Sequence, residues 1–227
     1  MPKTDRVKIV RAQPARTAVS RITVDTVVSL VLKLGLAAII PFEVAAGQYA
    51  IAFGVFITLI VSLMPAILSR SLYINLPWEI DFFVTVVIFA HAFLGYFVGL
   101  YRLIPYFDKV LHFASTVIIS MLSFMIIYSF YLIGRVRLSY GFLFLFIILT
   151  ALGLGGLWEI IEFAIDQIFV MDMQNGLEDT MYDLIFDMMG GIVAAGIGYL
   201  YIKYSKPAYR RRFAIPISQL FGYLSRR

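Results

Sequence analysis

Residues 139–165 read SYGFLFLFIILTALGLGGLWEIIEFAI. From Tyr140 to Trp158 not one side chain is charged. As an α-helix that run is ~28 Å long, about the thickness of a bilayer's hydrocarbon. Then Glu159 and Glu162 enter the same apolar pattern, with Asp166 a turn further on. A soluble core would not tolerate so unbroken an apolar helix, and a plain lipid-facing anchor would not carry the acids. The segment predicts a helix in a membrane bundle, with its acidic end turned toward other helices.

The whole chain agrees. Of 227 residues, 61% are apolar and 15% charged, with mean hydropathy +0.89. Soluble domains are nearer half apolar and a quarter charged. Cysteine is absent, which removes disulfides, thiolate metal sites and cysteine nucleophiles. Any metal would be held by carboxylates and imidazole, a set suited to Mg, Mn, Fe or Zn. The basic residues concentrate outside the apolar runs, so the pI near 9.4 reports topology and gives no case for nucleic acid.

Six runs have the length of a bilayer helix: Ile22 to Ile40, Tyr49 to Leu68, Trp78 to Leu100, His112 to Ile133, Ser139 to Ile165 and Met181 to Ile202. The expected fold class is an all-α, polytopic six-helix bundle over residues 22–202. A basic tail (1–21) precedes it, and a basic amphipathic tail (203–227) is expected on the inner membrane surface, drawn to anionic lipid. The first run is longer than a typical signal-peptide core, and no small-residue cleavage site follows in Pro41 to Gln48, so a retained span is expected. Sixteen of the nineteen Lys and Arg fall in the two tails and in the second and fourth loops, against Arg102 and Lys109 on the other side. That bias predicts a plasma-membrane protein with both termini cytoplasmic. No internal repeat or second domain is visible.

Eight of the fourteen acids lie between Glu159 and Asp187, uninterrupted by Lys or Arg. Ala151, Gly155, Glu159, Glu162 and Asp166 share one helical face. Asp179, Asp183 and Asp187 share another, continued by Gly190, Gly191, Ala194, Ala195 and Gly198. Small residues at these steps let helices approach closely in lipid, so the two acidic faces are expected to meet. Counting from the outer ends of the runs places Glu159 and Asp187 roughly 9 Å deep and Lys33 roughly 10 Å deep, at one level. Asp108 and His112 are a turn apart at the start of the fourth span, with Thr116 and Ser120 continuing the face. His91 is expected roughly 13 Å below the outer end of the third, under Gly95 and Gly99. Glu79 and Asp81 fall at the opposite end and are read as interfacial.

Isolated carboxylates in hydrocarbon cost on the order of several kcal/mol each, so these must be protonated, paired, hydrated or bound to a cation. The expected ligands of a divalent cation are Glu159, Glu162, Asp183, Asp187 and His112. Asp108 is expected to orient His112, and Lys33, His91 and Asp179 to pair with the acids or pass protons. Two other outcomes stay open: an ion- or proton-coupled transporter using the same acids, and a hydrogen-bonded packing network. No catalytic residue is assigned. The histidines, 21 positions apart, exclude a His-Glu-x-x-His protease, and two histidines are too few for a histidine-box desaturase. No Gly-x-Ser-x-Gly elbow occurs. The Asp179, Asp183, Asp187 ladder compares with the aspartate-rich motifs of membrane prenyltransferases over those three residues alone.

Asp108, Lys109 and His112, then Trp158, Glu159 and Glu162, then Asp179, Asp183 and Asp187 before Gly190 and Gly191 resemble the YjdF-type family of prokaryotic inner-membrane proteins. The same Asp-Lys-x-x-His start and Gly-rich last helix resemble, more distantly, the VanZ-like family, which tends to have Gln where this chain has Glu162. The likeness spans roughly Leu76 to Tyr201. It implies a helical plasma-membrane bundle with the polar cluster as its defining feature, and no particular reaction. The function expected is therefore that of a membrane protein with an outward-facing Asp/Glu/His site, partnered by membrane lipids and acting on a lipid-linked or envelope substrate.

Overall fold

The computed structural model describes residues 24–71, 78–132, 134–169 and 173–206. The N-terminal tail, and the C-terminal tail from residue 207 onward with its amphipathic segment, lie outside the described residues. Within them the chain is all-helical. In order come α1 (Val24–Ala45), α2 (Tyr49–Ser71), α3 (Trp78–Phe89) with a π-helical continuation (Ala90–Phe97), the single turn α4 (Leu100–Leu103), α5 (Phe107–Leu132), α6 (Tyr140–Phe169) and α7 (Leu177–Tyr204). Helices α1, α2, α5, α6 and α7 are each long and apolar enough to cross a membrane. The third expected span is a composite of shorter pieces, apolar over Asp81–Phe97. It ends where Gly99, at φ 84°, turns the backbone into the left-handed region that glycine alone enters without a Cβ penalty.

The spans pack as two groups of three: α1 with α2 and α3, and α5 with α6 and α7. The second group is the tighter. At its centre Phe124, Tyr128, Leu132, Leu143, Ile147 and Ala194 are buried together. The first closes on Leu36, Ile39, Val55 and Ala92. Away from these seams the helices present large apolar side chains outward, as on α6 with Leu145, Leu149, Leu157, Ile160 and Ile168. Such a surface matches lipid and not water.

Two corrections concern α1 and α3. Pro41 does not end α1, which continues to Ala45. Interior proline is tolerated in membrane helices because neighbours satisfy the freed carbonyl. Lys33 sits ~18 Å from the end of its helix, and it is turned to α3, away from the acid cluster of α6 and α7. Its ammonium meets Asp81 Oδ1 at 2.6 Å. Asp81 is thus a partner inside the bundle, not a lone interfacial charge. Ser29 donates to Asp81 Oδ2 at 2.6 Å, and the Ser29 and Thr85 hydroxyls lie 3.2 Å apart. This polar knot ties α1 to α3 and is separate from the α5–α7 acids.

Close approach in the second group depends on glycine. A Cβ on Gly191 would stand 2.6 Å from the Ala151 Cβ, and one on Gly190 2.8 Å from the Phe113 carbonyl oxygen. The α7 face expected to be small is therefore the face that α5 and α6 seat against. Both acidic helices overrun their expected ends by four residues, α6 to Phe169 and α7 back to Leu177. Because the overrun is equal, Glu159 and Asp187 keep a common level.

Candidate metal centre

Three helices build the site: α5 supplies Asp108, Lys109, His112 and Thr116 from its first turns, α6 supplies Trp158, Glu159 and Glu162, and α7 supplies Asp179, Asp183 and Asp187. Steps of three and four residues put each set on one face. The glycine seams then bring the faces into contact.

His112 is the hub, 7% exposed. Its Nδ1 lies 3.3 Å from both oxygens of Asp187, and Asp187 Oδ1 also accepts from the Thr116 hydroxyl at 2.5 Å. A carboxylate against Nδ1 fixes the proton there and leaves the Nε2 lone pair free, the usual support of a metal-binding imidazole. Nε2 faces Glu159 Oε1 at 3.7 Å, Asp108 Oδ1 at 3.9 Å and Asp183 Oδ1 at 3.9 Å. These separations are too long for hydrogen bonds. They do fit atoms flanking a cation with bonds of ~2.1 Å. Asp108, His112 and Asp183 each offer a ligand atom within 4.8 Å of the others, so this buried group could hold a metal ion. Glu159 is 4% exposed, and its Oε1 has no hydrogen-bond partner among the described residues. Its Oε2 accepts from Thr180 Oγ1 at 2.9 Å.

Asp187 and Asp108 stand at the opposite edges of the ring from those expected. Asp187, expected as a ligand, stands behind the imidazole at Nδ1, while Asp108, expected to orient the ring, faces Nε2. The reason is helix geometry: Asp108 precedes His112 by one turn and looks at the ring's outer edge, whereas Asp187 lies deeper on α7, wedged against Gly155, where a Cβ would collide with its carboxylate. Glu162 accepts from Trp158 Nε1 at 2.9 Å and is not part of the three-residue group. Asp166, from the shared acidic face, accepts the backbone N–H groups of Met173 (2.8 Å) and Gln174 (2.8 Å) and so shapes the connection to α7.

Lys109 is the principal residue the sequence reading left out of the site. Its ammonium is 2.9 Å from the Asp183 carboxylate, 3.3 Å from Asp108 Oδ2, and hydrogen-bonded to Asp179 Oδ1. Its neighbour Asp108 was a signal, but a lysine at a helix start reads equally well as an interfacial charge. Asp179, expected near the acids, holds Lys109 and accepts from Asn175 Nδ2 at 3.2 Å. Lys33 is absent from the centre, as described above.

His91 stands on the flank. Its Nδ1 and the Tyr101 hydroxyl are 2.6 Å apart, and its ring is edge-on to Tyr96 and Trp158. The π-helical stretch turns His91 this way, and Gly95 leaves the room that the Tyr101 ring occupies. Burial raises the Tyr101 pKa above that of an ordinary phenol, with Tyr96, Asp108 and Glu162 adding to the effect, so the hydroxyl keeps its proton.

Residues 27–204 match a family described as predicted membrane protein (DUF2238). An uncharacterized protein of Thermotoga maritima is 31% identical over 176 residues, which are 75% of this chain and 86% of the relative. No solved structure matches. The matched range covers α2 to α7, all but the first three residues of α1 and every residue of the candidate centre, and the chain belongs to the DUF2238 family of predicted membrane proteins.

Proposed function

We propose that this multi-pass protein is a plasma-membrane metalloprotein, both termini cytoplasmic, whose outward-facing centre binds one divalent cation and acts on a lipid-linked or envelope substrate. Asp108, His112 and Asp183 are the ligands, Asp187 orients His112, and Glu159 stands beside the open position. One observation carries the reading: three carboxylate oxygens face one imidazole nitrogen at 3.7–3.9 Å while the other nitrogen is already held by Asp187. Lys109 offsets part of the charge of Asp108 and Asp183, and a cation beside Nε2 would offset the rest. Three protein ligands with a vacant fourth position is the arrangement of a catalytic cation, not of a closed structural one. Asp108 and Asp179, about a quarter exposed, give the centre an opening at the α5 N-terminal end. The residues behind the YjdF-type resemblance are largely those gathered here, which supports reading that likeness as a shared site.

Retention of the cation is favoured over its passage. Below Asp187 the Gly190 and Gly191 seam leaves no room even for a Cβ, and the Phe124 and Tyr128 core follows. The test is elemental analysis of the full-length protein purified in detergent. The expected result is about one Zn, Mn or Fe per chain, retained through size exclusion and lost in His112→Ala and Asp183→Asn. A wild-type protein that stays empty after incubation with each of these ions and Mg overturns the proposal.

A further inference from the structure

Resting on that cation reading, the charge around the centre narrows the substrate class. The reacting atoms would meet Asp108, Glu159 and Asp183, grouped around His112 Nε2, with Glu162 a turn along α6 from Glu159. Among the described residues Lys109 is the Lys or Arg side chain that reaches them, and its ammonium is shared among Asp108, Asp179 and Asp183. It has no donor left over in the direction of a substrate. Arg102 is exposed on α4, outside the buried group. Phosphate-transfer sites instead surround the anion with uncommitted Arg, Lys and backbone N–H donors. Here one divalent ion would face more carboxylates than it can neutralise. A phosphate or diphosphate arriving with two or more negative charges would be repelled in a medium that screens poorly.

We propose that the centre takes an uncharged reacting group, the carbonyl of an ester or amide borne by a lipid or lipid-anchored chain, and hydrolyses it. Glu159 Oε1, buried, unpartnered and 3.7 Å from His112 Nε2, is placed to serve as the base. It removes a proton from a water held at the open ligand position, and the water oxygen bonds to the carbonyl carbon. The acyl C–O or C–N bond then breaks, its electron pair leaving with the alkoxide or amine, which receives the proton from Glu159. Water is the one co-reactant, and a carboxylic acid and an alcohol or amine are the products. Thr180, donating to Oε2, keeps Oε1 turned toward the centre.

The test loads the full-length protein in detergent with Co(II) and follows its visible spectrum during titration with acetohydroxamic acid, phosphate and pyrophosphate. Acetohydroxamic acid arrives uncharged and gives up its proton on chelating, as the water would. The expected result is a spectral change with acetohydroxamic acid at a Kd at least about tenfold below that of pyrophosphate. Glu159→Gln should keep the cobalt spectrum and lose that preference. Pyrophosphate binding as tightly or more tightly overturns the proposal, as does a cobalt spectrum indifferent to all three. Failure of the wild type to take up cobalt would instead count against the cation reading beneath it.

Discussion

His112 shows how much one side chain can decide. Two nitrogens on one ring face two environments, Asp187 with Thr116 on one side and the three-carboxylate group on the other. Asp187→Asn leaves every proposed ligand in place but removes the charge that makes Nε2 a strong donor. Its cation affinity should fall about 10- to 100-fold, measured by competition with a chelating dye, with little loss of thermal stability. A fall as large as that of His112→Ala would mean that Asp187 is itself a ligand. Lys109 illustrates the opposite dependence. Replaced by Met, it would leave Asp179 and Asp183 unpaired in a mostly buried setting, and breaking a buried pair by removing one partner costs about 3–5 kcal/mol. The partial exposure of Asp179 moderates this, so the expected outcome is a lowered Tm that added divalent cation partly restores.

Helices explain why the acids are tolerated and why the two polar groupings stay apart. On α1 and α3 the Lys33 and Asp81 pair, buttressed by Ser29 and Thr85, sets the register of two otherwise featureless apolar helices. Lys33→Met alone should destabilise more than Lys33→Met combined with Asp81→Asn, because the single change strands a carboxylate among apolar helices. Thermal unfolding in detergent reads the difference, and cation content should be unaffected in both. On α7 the glycine seam has no such redundancy. Gly191→Val would drive a branched side chain into Ala151, an overpacking that costs about 1–3 kcal/mol. It should also spread α6 from α7 and lower cation occupancy, which Gly196→Ala, with open space at its Cβ, should not do.

Over the whole molecule, the native absence of cysteine makes orientation directly testable. In intact cells Asn175→Cys, in the connection before α7, should react with a membrane-impermeant maleimide, and Ser205→Cys, just past the other end of α7, should react only after lysis. The reverse pattern would place the centre on the cytoplasmic side and change the substrates that can reach it.

The apolar spans and their number within one were legible along residues 22–202, and the meeting of the α6 and α7 faces and the small-residue seam in residues 139–202. Hydrocarbon imposes its length and its intolerance of charge directly on sequence, and helical period carries the rest. The partner of Lys33 was not legible, because a depth count gives a level in the membrane and not the helix that a side chain faces. Nor were the separate duties of Asp108, Asp183 and Asp187. All three are aspartates at the right spacing, and what separates them is which edge of one imidazole each faces. Composition and periodicity determined the solvent of this protein and the faces that would meet in it. Only the tertiary structure decided which oxygens converge on Nε2 and which are occupied elsewhere, since that depends on helix ends and rotations of an ångström or two, finer than any residue count resolves.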